Sequence, residues 1–361
     1  KDTNEVTNPL KPINPAKDVT VKVGGASANG KSIYKGRSFL YQLDSSILPA
    51  NRAYPQVDKW DIVDSLDPAF DEYTGQWAVY ATRDLLSGGE VLASKGDRIA
   101  GSGFDSSKLG GDLFTLSAAT VDGRNVVTIE ATDRYRALVS DDSHEAGWRA
   151  YIQCKRLAVT DRHENQFTEH YNDKTLESNV VWTRTPDMTP SIDVQKWDRK
   201  SGWPNGDRDN SKDALTVSGD TEIVFTITNT SKTDPDTKQG AVFRTKDIKL
   251  EDSTIVGDGE VVDLKYPADW DTKVLKPGES VEVTGTLKGV TKTHTDRAKV
   301  TGTPLTECPV DTSAPFGDGT SDDESGSKPE SKSDDVVTID GKDYCSDTKV
   351  ESATDDWNGY R

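Results

Sequence analysis

Lys17-Asp18-Val19-Thr20-Val21-Lys22-Val23 and, far downstream, Glu177-Ser178-Asn179-Val180-Val181-Trp182 bracket the first half of the chain. Successive side chains of an extended strand point to opposite faces, so Lys17 shares a face with Val19, Val21 and Val23. Lys22 falls in the polar phase with Asp18 and Thr20. A lysine in phase with a valine row is aimed at a core, where an unpaired ammonium is too costly to keep. It must pair with a carboxylate, lose its proton, or react. A buried Asn on a late strand beside an acid would allow reaction, giving an intramolecular Lys–Asn isopeptide bond. The plainer reading is a strand-end lysine whose head returns to water.

Working outward, the surrounding segments alternate with period two. The runs are Ser38–Leu43, Trp60–Val63, Trp77–Ala81, Val91–Ala93, Leu113–Ala118, Val126–Ala131, Tyr151–Val159 and Val180–Thr185, separated by Gly, Asn, Asp and Ser clusters such as Gly24–Gly30. No apolar pattern of helical period runs long enough for a major helix. Asp84–Leu85 and Glu130–Leu138 allow short helical turns. The pattern is that of an all-β sandwich. Residues 1–16, with Asn8-Pro9, Lys11-Pro12 and Asn14-Pro15, read as a linker. Two prolines in Thr185–Pro190 end the first domain, since proline interrupts a sheet ladder. A second, immunoglobulin-like set of strands follows: Ser191–Trp197, Thr221–Thr228, Lys246–Leu250, Glu260–Leu264, Ser280–Leu287 and Arg297–Thr301. The expected architecture is two tandem β-sandwich (Ig-like) domains, elongated, at 17–187 and 188–361. Lys196 shares a face with Ile192 and Val194, so both domains open with the same device.

Composition narrows the function. The chain has 361 residues, a net charge of −18 and 33% hydrophobic residues. A basic footprint for phosphate is lacking, so nucleic acid is not expected as a partner. The charge suits extracellular solubility and hard cations. No run of apolar residues reaches membrane-spanning length, and a start at Lys1 reads as a fragment of something longer. Cys308 and Cys345 flank an acidic, Ser- and Gly-rich stretch at 312–335 that cannot bury enough apolar surface to fold alone. A disulfide tying that excursion at its base is expected, free thiols being the alternative. Cys154, in phase with Ala150 and Ile152, reads as a small buried hydrophobe. His144, His163, His170 and His294 form no catalytic signature with it. A carbohydrate-active enzyme would need facing carboxylates across an aromatic cleft, and nothing here demands one.

Residues 17 to about 186 resemble the last C-terminal domain of the antigen I/II adhesins of Gram-positive cocci. The resemblance rests on Lys17-Asp18-Val19-Thr20, Ile47-Leu48-Pro49-Ala50, Tyr73-Thr74-Gly75-Gln76, Tyr151-Ile152-Gln153-Cys154-Lys155-Arg156, Glu164-Asn165 and Ser178-Asn179-Val180. Cys154 in place of an apolar residue and a Gly-rich loop at Gly101–Gly111 depart from it. The resemblance implies a wall-proximal stalk domain, a two-sheet sandwich closed by a Lys–Asn isopeptide bond. It puts the donor at Lys17 and the acceptor at Asn179. Asp64, in phase with Trp60 and Ile62, is the best match for the catalytic acid. Residues 188–361 look more like Ig-like modules of actinobacterial surface proteins. Their donor would be Lys196, with Asp296 or Asn358 as acceptor and Asp247 or Asp252 as acid, against an ordinary salt bridge.

Two loops could hold calcium, one around Asp64 and Asp67 with Asp71 and Glu72, the other around Asp207 and Asp209 with Asp213. Neither has the Gly and terminal Glu of an EF-hand. No cofactor is required. The expectation is a structural stalk segment, monomeric, extracellular, on a Gram-positive cell wall to which attachment is made outside these residues. Host or microbial surface ligands would be met by the full-length protein. The competing expectation is a module that itself binds a host glycoprotein or a partner microbe.

Overall fold

Alternation of buried and exposed side chains leaves these segments one economical solution, which is sheets facing each other over an apolar layer. The computed structural model describes residues 14–317 and 336–361. Residues 1–13 of the expected linker and 318–335 of the acidic excursion lie outside the described residues. The chain divides into two compact units, Lys1–Pro186 with Val310–Lys328, and Asp187–Pro309 with Pro329–Arg361.

The first unit is a sandwich of two five-stranded sheets. One runs in the order Ala16–Thr20, Ser38–Asp44, Trp148–Arg156, Asp71–Ala81, Arg98–Gly101. The other runs Lys174–Glu177, Phe167–Tyr171, Trp60–Leu66, Arg124–Ala131, Phe114–Val121. Thr160–Asn165 pairs antiparallel with Val181–Thr185 beside them. Trp60, Trp148, Phe114 and Tyr135 meet at ring separations of 4.5–6.1 Å in the core. Helix Asp133–Ser140 is capped by Thr132, whose side chain accepts from the Tyr135 amide, and it buries Tyr135 and Val139. The expected turn at Asp84–Leu85 is instead the start of a small hairpin, Leu85–Ser87 with Glu90–Ala93. The first strand ends at Thr20, earlier than the valine row suggested, and Val21 stands exposed where the chain turns.

The second unit packs Ile192–Asp198, Thr221–Asn229, Ser280–Lys288 and Glu260–Lys265 against Leu215–Thr216, Asp355–Tyr360, Thr293–Gly302 and Ile248–Gly257. Phe225, Phe243, Val283 and Trp357 are fully buried between them. The Asp355–Tyr360 strand went unread in the sequence. Cys308 and Cys345 form a disulfide with sulfurs 2.04 Å apart. Val310–Gly317, expected in the second domain at the start of its 312–335 excursion, belongs to the first unit.

Candidate functional sites: two buried lysine clusters

Lys17 is buried on the same face as Val19, and its ammonium has no route to water. Nζ contacts Oδ2 of Asp64, which is also fully buried and comes from the facing Trp60–Leu66 strand. The Tyr41 ring lies 4.3 Å below Nζ and the Phe167 ring 5.7 Å away. In this dry, aromatic box burial lowers the Lys17 pKa and raises that of Asp64, and the attraction between the two only partly opposes both shifts. Each is driven toward its neutral form, an amine beside a carboxylic acid.

Asn179 does not join them. It is exposed, and its carboxamide bonds the main chain of Lys17: Oδ1 accepts from the Lys17 amide at 2.8 Å and Nδ2 donates to the Lys17 carbonyl at 2.9 Å. Main-chain groups of a strand lie in the sheet plane while its side chains stand perpendicular to it. A carboxamide held by Lys17's backbone is therefore turned away from Nζ, which corrects the expected acceptor. The buried carboxamide belongs to Asn165, at the end of the Thr160–Asn165 strand. It sits close enough to Asp64 to draw that carboxyl's pKa down. Yet Nδ2 of Asn165 and Oδ1 of Asp64 are both buried without a formed hydrogen bond. The signal in Glu164-Asn165 is phase: Asn165 lies two residues from His163 and shares its buried face of the strand.

Next to this cluster lies a second polar group that the sequence did not announce. Arg156 is fully buried and donates to Asp71 (2.9 Å), Thr185 (2.9 Å) and Thr183 (2.8 Å). Asp71 also accepts from Tyr41 at 2.6 Å and meets His163 at 2.9 Å. Its partners outweigh burial and hold its carboxyl below the usual range. Cys154 is buried and free, as its phase suggested, and burial pushes its thiol well up.

The second unit repeats the arrangement with different chemistry. Lys196 is fully buried, its Nζ 2.5 Å from both Asp252 and Asp296 and 5.1 Å from the centre of the Phe225 ring. Asp252 and Asp296 lie on the paired strands Ile248–Gly257 and Thr293–Gly302. Burial, strengthened by the neighbouring Asp296 and opposed by Lys196, pushes the Asp252 carboxyl up to about 6. His294 Nε2 is 3.0 Å from the other Asp296 oxygen, while its Nδ1 is 2.7 Å from the Asp258 carbonyl. A carbonyl can only accept, so Nδ1 carries a proton. Asn358 is elsewhere. Its register partner is Thr295, so it sits on the opposite face from Asp296, and its carboxamide is used up by Thr295 and the Arg208 carbonyl, both at 2.7 Å. Asp247 closes a short 3-10 turn and pairs with Arg244 at 2.7 Å. Neither serves Lys196.

The acidic loops also sort themselves. Asp64 is committed to Lys17, and Asp67 caps its own turn by accepting from the Ala69 amide at 3.0 Å. Asp207 and Asp209 come within 4.8 Å of a third carboxylate, Asp355, the one such group among the described residues. Burial, with repulsion from Asp209, pushes Asp207 up to about 6; burial likewise takes Asp355 up to about 7, although the Lys196 amide bonds it.

Residues 14–186 match the family model described as "Cell surface antigen C-terminus". The aggregation substance of Enterococcus faecalis is 33% identical over 189 residues, which is 51% of this chain and 13% of that protein. Among solved structures, the C-terminal domain of the Streptococcus pyogenes antigen I/II-family protein AspA is 28% identical, covering 49% of this chain and 48% of that one with a TM-score of 0.42. The Streptococcus agalactiae BspA C-terminal domain is 24% identical over 48% of this chain and 50% of its own, with a TM-score of 0.41. The chain thus spans a small part of the curated relative it matches and about half of each solved one.

Proposed function

We propose that the chain is a structural stalk segment of a Gram-positive surface adhesin, locked by intramolecular isopeptide bonds, a reading supported by the match of residues 14–186 to the family model of a cell surface antigen C-terminus. One observation carries this reading: a fully buried lysine and aspartate, both driven toward neutrality, beside a buried carboxamide whose nitrogen has no formed hydrogen bond.

In the first unit the neutral Lys17 amine adds to the Asn165 carboxamide carbon. Protonated Asp64 hydrogen-bonds the carbonyl oxygen and stabilises the developing oxyanion. Asp64 then relays a proton from the attacking nitrogen to Nδ2. The C–Nδ2 bond breaks, ammonia leaves, and a Lys–Asn amide remains. In the second unit Lys196 adds to the protonated carboxyl of Asp296, Asp252 relays the proton, and water leaves. Each reaction occurs once per molecule, so it is self-processing and not turnover. Calcium at Asp207, Asp209 and Asp355 is a separate part of the proposal, and ligands are met by regions of the full-length protein outside these residues.

Intact mass tests the reading. The proposal expects a deficit of about 17 Da for the first unit and about 18 Da for the second, beyond the disulfide, because each bond is an acyl transfer to an amine. Asn165→Ala should abolish the first deficit and Asn179→Ala should leave it in place. A full sequence mass in the wild-type protein would sink both crosslinks and favour a direct ligand-binding module.

A further inference from the structure

The first unit carries a small apolar cluster that its main core does not include: Leu40, Ala78, Tyr151 and Phe316, flanked by Val23 and Tyr80. Leu40 lies between Phe39 and Tyr41, which belong to the main core, so this cluster is on the outer face of the sheet. Three of its buried members come from three neighbouring strands of that sheet. The fourth, Phe316, arrives from a segment about 160 residues further along the chain and is 8% exposed.

The seat for that segment is specific. The Phe316 ring lies 6.4 Å from the Tyr151 ring, and the Arg98 guanidinium stands 5.5 Å from its centre. Gln153 Nε2 donates to the Thr312 carbonyl at 2.8 Å, and Arg98 Nη1 reaches the Gly317 carbonyl at 3.4 Å. These are side-chain tethers and one aromatic plug, with no strand pairing recorded for 312–317. The segment can therefore lift off without breaking a ladder. It lies inside the loop closed by Cys308 and Cys345, 37 positions apart, so its ends stay anchored when it does.

We propose that this seat is exchangeable, and that the outer face of the sheet accepts the Phe316 segment of a second copy of this chain. The second copy carries the segment whose fit to the seat is already displayed here. Beside the seat runs a groove of about 370 Å³ lined by Lys95 with Tyr80 and Tyr151. Exchange by both partners gives a self-complementary two-fold contact. The chain's own segment competes at an effective concentration in the millimolar range, so pairing in trans needs densely packed copies.

Two variants of the full chain separate the halves of the contact. Phe316→Ala empties the seat and leaves the face intact; Ala78→Arg fills the seat and leaves the segment intact. A labelled peptide of residues 310–320 should bind Phe316→Ala, bind wild type at least about tenfold more weakly because of the resident competitor, and ignore Ala78→Arg. In sedimentation, each variant alone should be monomeric, and their equimolar mixture at high concentration should contain a two-chain species. Failure of the peptide to bind folded Phe316→Ala at about 1 mM, equal binding to wild type, or a mixture that stays monomeric would each overturn the exchange.

Discussion

Lys17 and Lys196 stand at the same place in two sandwiches, each buried in the first strand of its unit and each over an aromatic ring, yet their companions differ. The first unit offers one acid and a carboxamide, so the uncharged state is reached by moving a single proton from amine to acid. The second offers two acids and a histidine, so the same lysine has a choice between reacting and remaining an ion pair. A buried lysine thus says only that something must happen to its charge. The number of acids around it decides whether chemistry or neutralisation is the easier outcome.

The comparison breaks or sharpens most visibly under force. With Lys17 bonded to Asn165, about 150 residues are shielded, and an unlinked chain gains up to about 3.3–3.6 Å per residue. Single-molecule pulling should release little length from the wild-type first unit between Lys17 and Asn165, and several hundred ångströms more from Lys17→Ala. Equal, long extensions would end the clamp reading.

Thermal unfolding gives the next largest effect. Closing a loop of this length stabilises by roughly 5 kcal/mol through the unfolded state. Asn165→Ala should then melt about 10–20 °C lower, at ~2–4 °C per kcal/mol for a unit of this size. Asn179→Ala should cost only a few degrees. In the second unit, Asp296→Ala leaves Lys196 beside one acid. If water had been expelled there, that variant regains about 18 Da; if an ion pair had formed, wild type and variant both show no deficit.

Asp64→Ala and Asp252→Ala compare the two acids. Each should fold with its lysine unlinked, as read by tryptic peptides spanning the bond. A complete crosslink in either variant would move the acid role to another carboxylate.

The smallest effects concern Asp207 and Asp355. Their folded pKa values stand near 6 and near 7, above the unfolded value, so the native state binds protons first as pH falls. The second unit should therefore gain stability between about pH 7 and pH 4, read as a rising melting temperature. Calcium should remove that gain, since it replaces the protons. At Kd values of about 0.1–1 mM, 5 mM calcium contributes ~1–2 kcal/mol, a shift of a few degrees. A melting curve indifferent to calcium at pH 7.5 would leave the cluster as plain solvated acid.

Phase made much of this legible. Period two aims Lys17 with Val19 and Lys196 with Ile192 and Val194 at a core, against the plainer reading of a head returned to water, and both are buried. Asp64, in phase with Trp60 and Ile62, proved to face Lys17. The acceptors were not legible, because phase says which face a residue takes and not which distant strand lies opposite. The resemblance put the acceptor at Asn179, whereas the buried carboxamide is that of Asn165, fourteen positions earlier in the numbering. Asn358 failed for the same reason, one residue out of phase with the face that Asp296 occupies. Arg156 could have been found: it is in phase with Ile152 and Cys154, the very pattern that drew notice to the lysines.

The Asn179 carboxamide has a consequence apart from any crosslink. Ala16–Thr20 is the outermost strand of its sheet, and such a border offers free amides and carbonyls to any extended chain that drifts past. Here Asn179 occupies the amide and carbonyl of Lys17, and the Ala28 amide takes the carbonyl of Val19 at 2.7 Å. One side chain imitates a neighbouring strand for the length of a single residue. Copies crowded side by side are thereby denied a template for zipping into fibrils along this border.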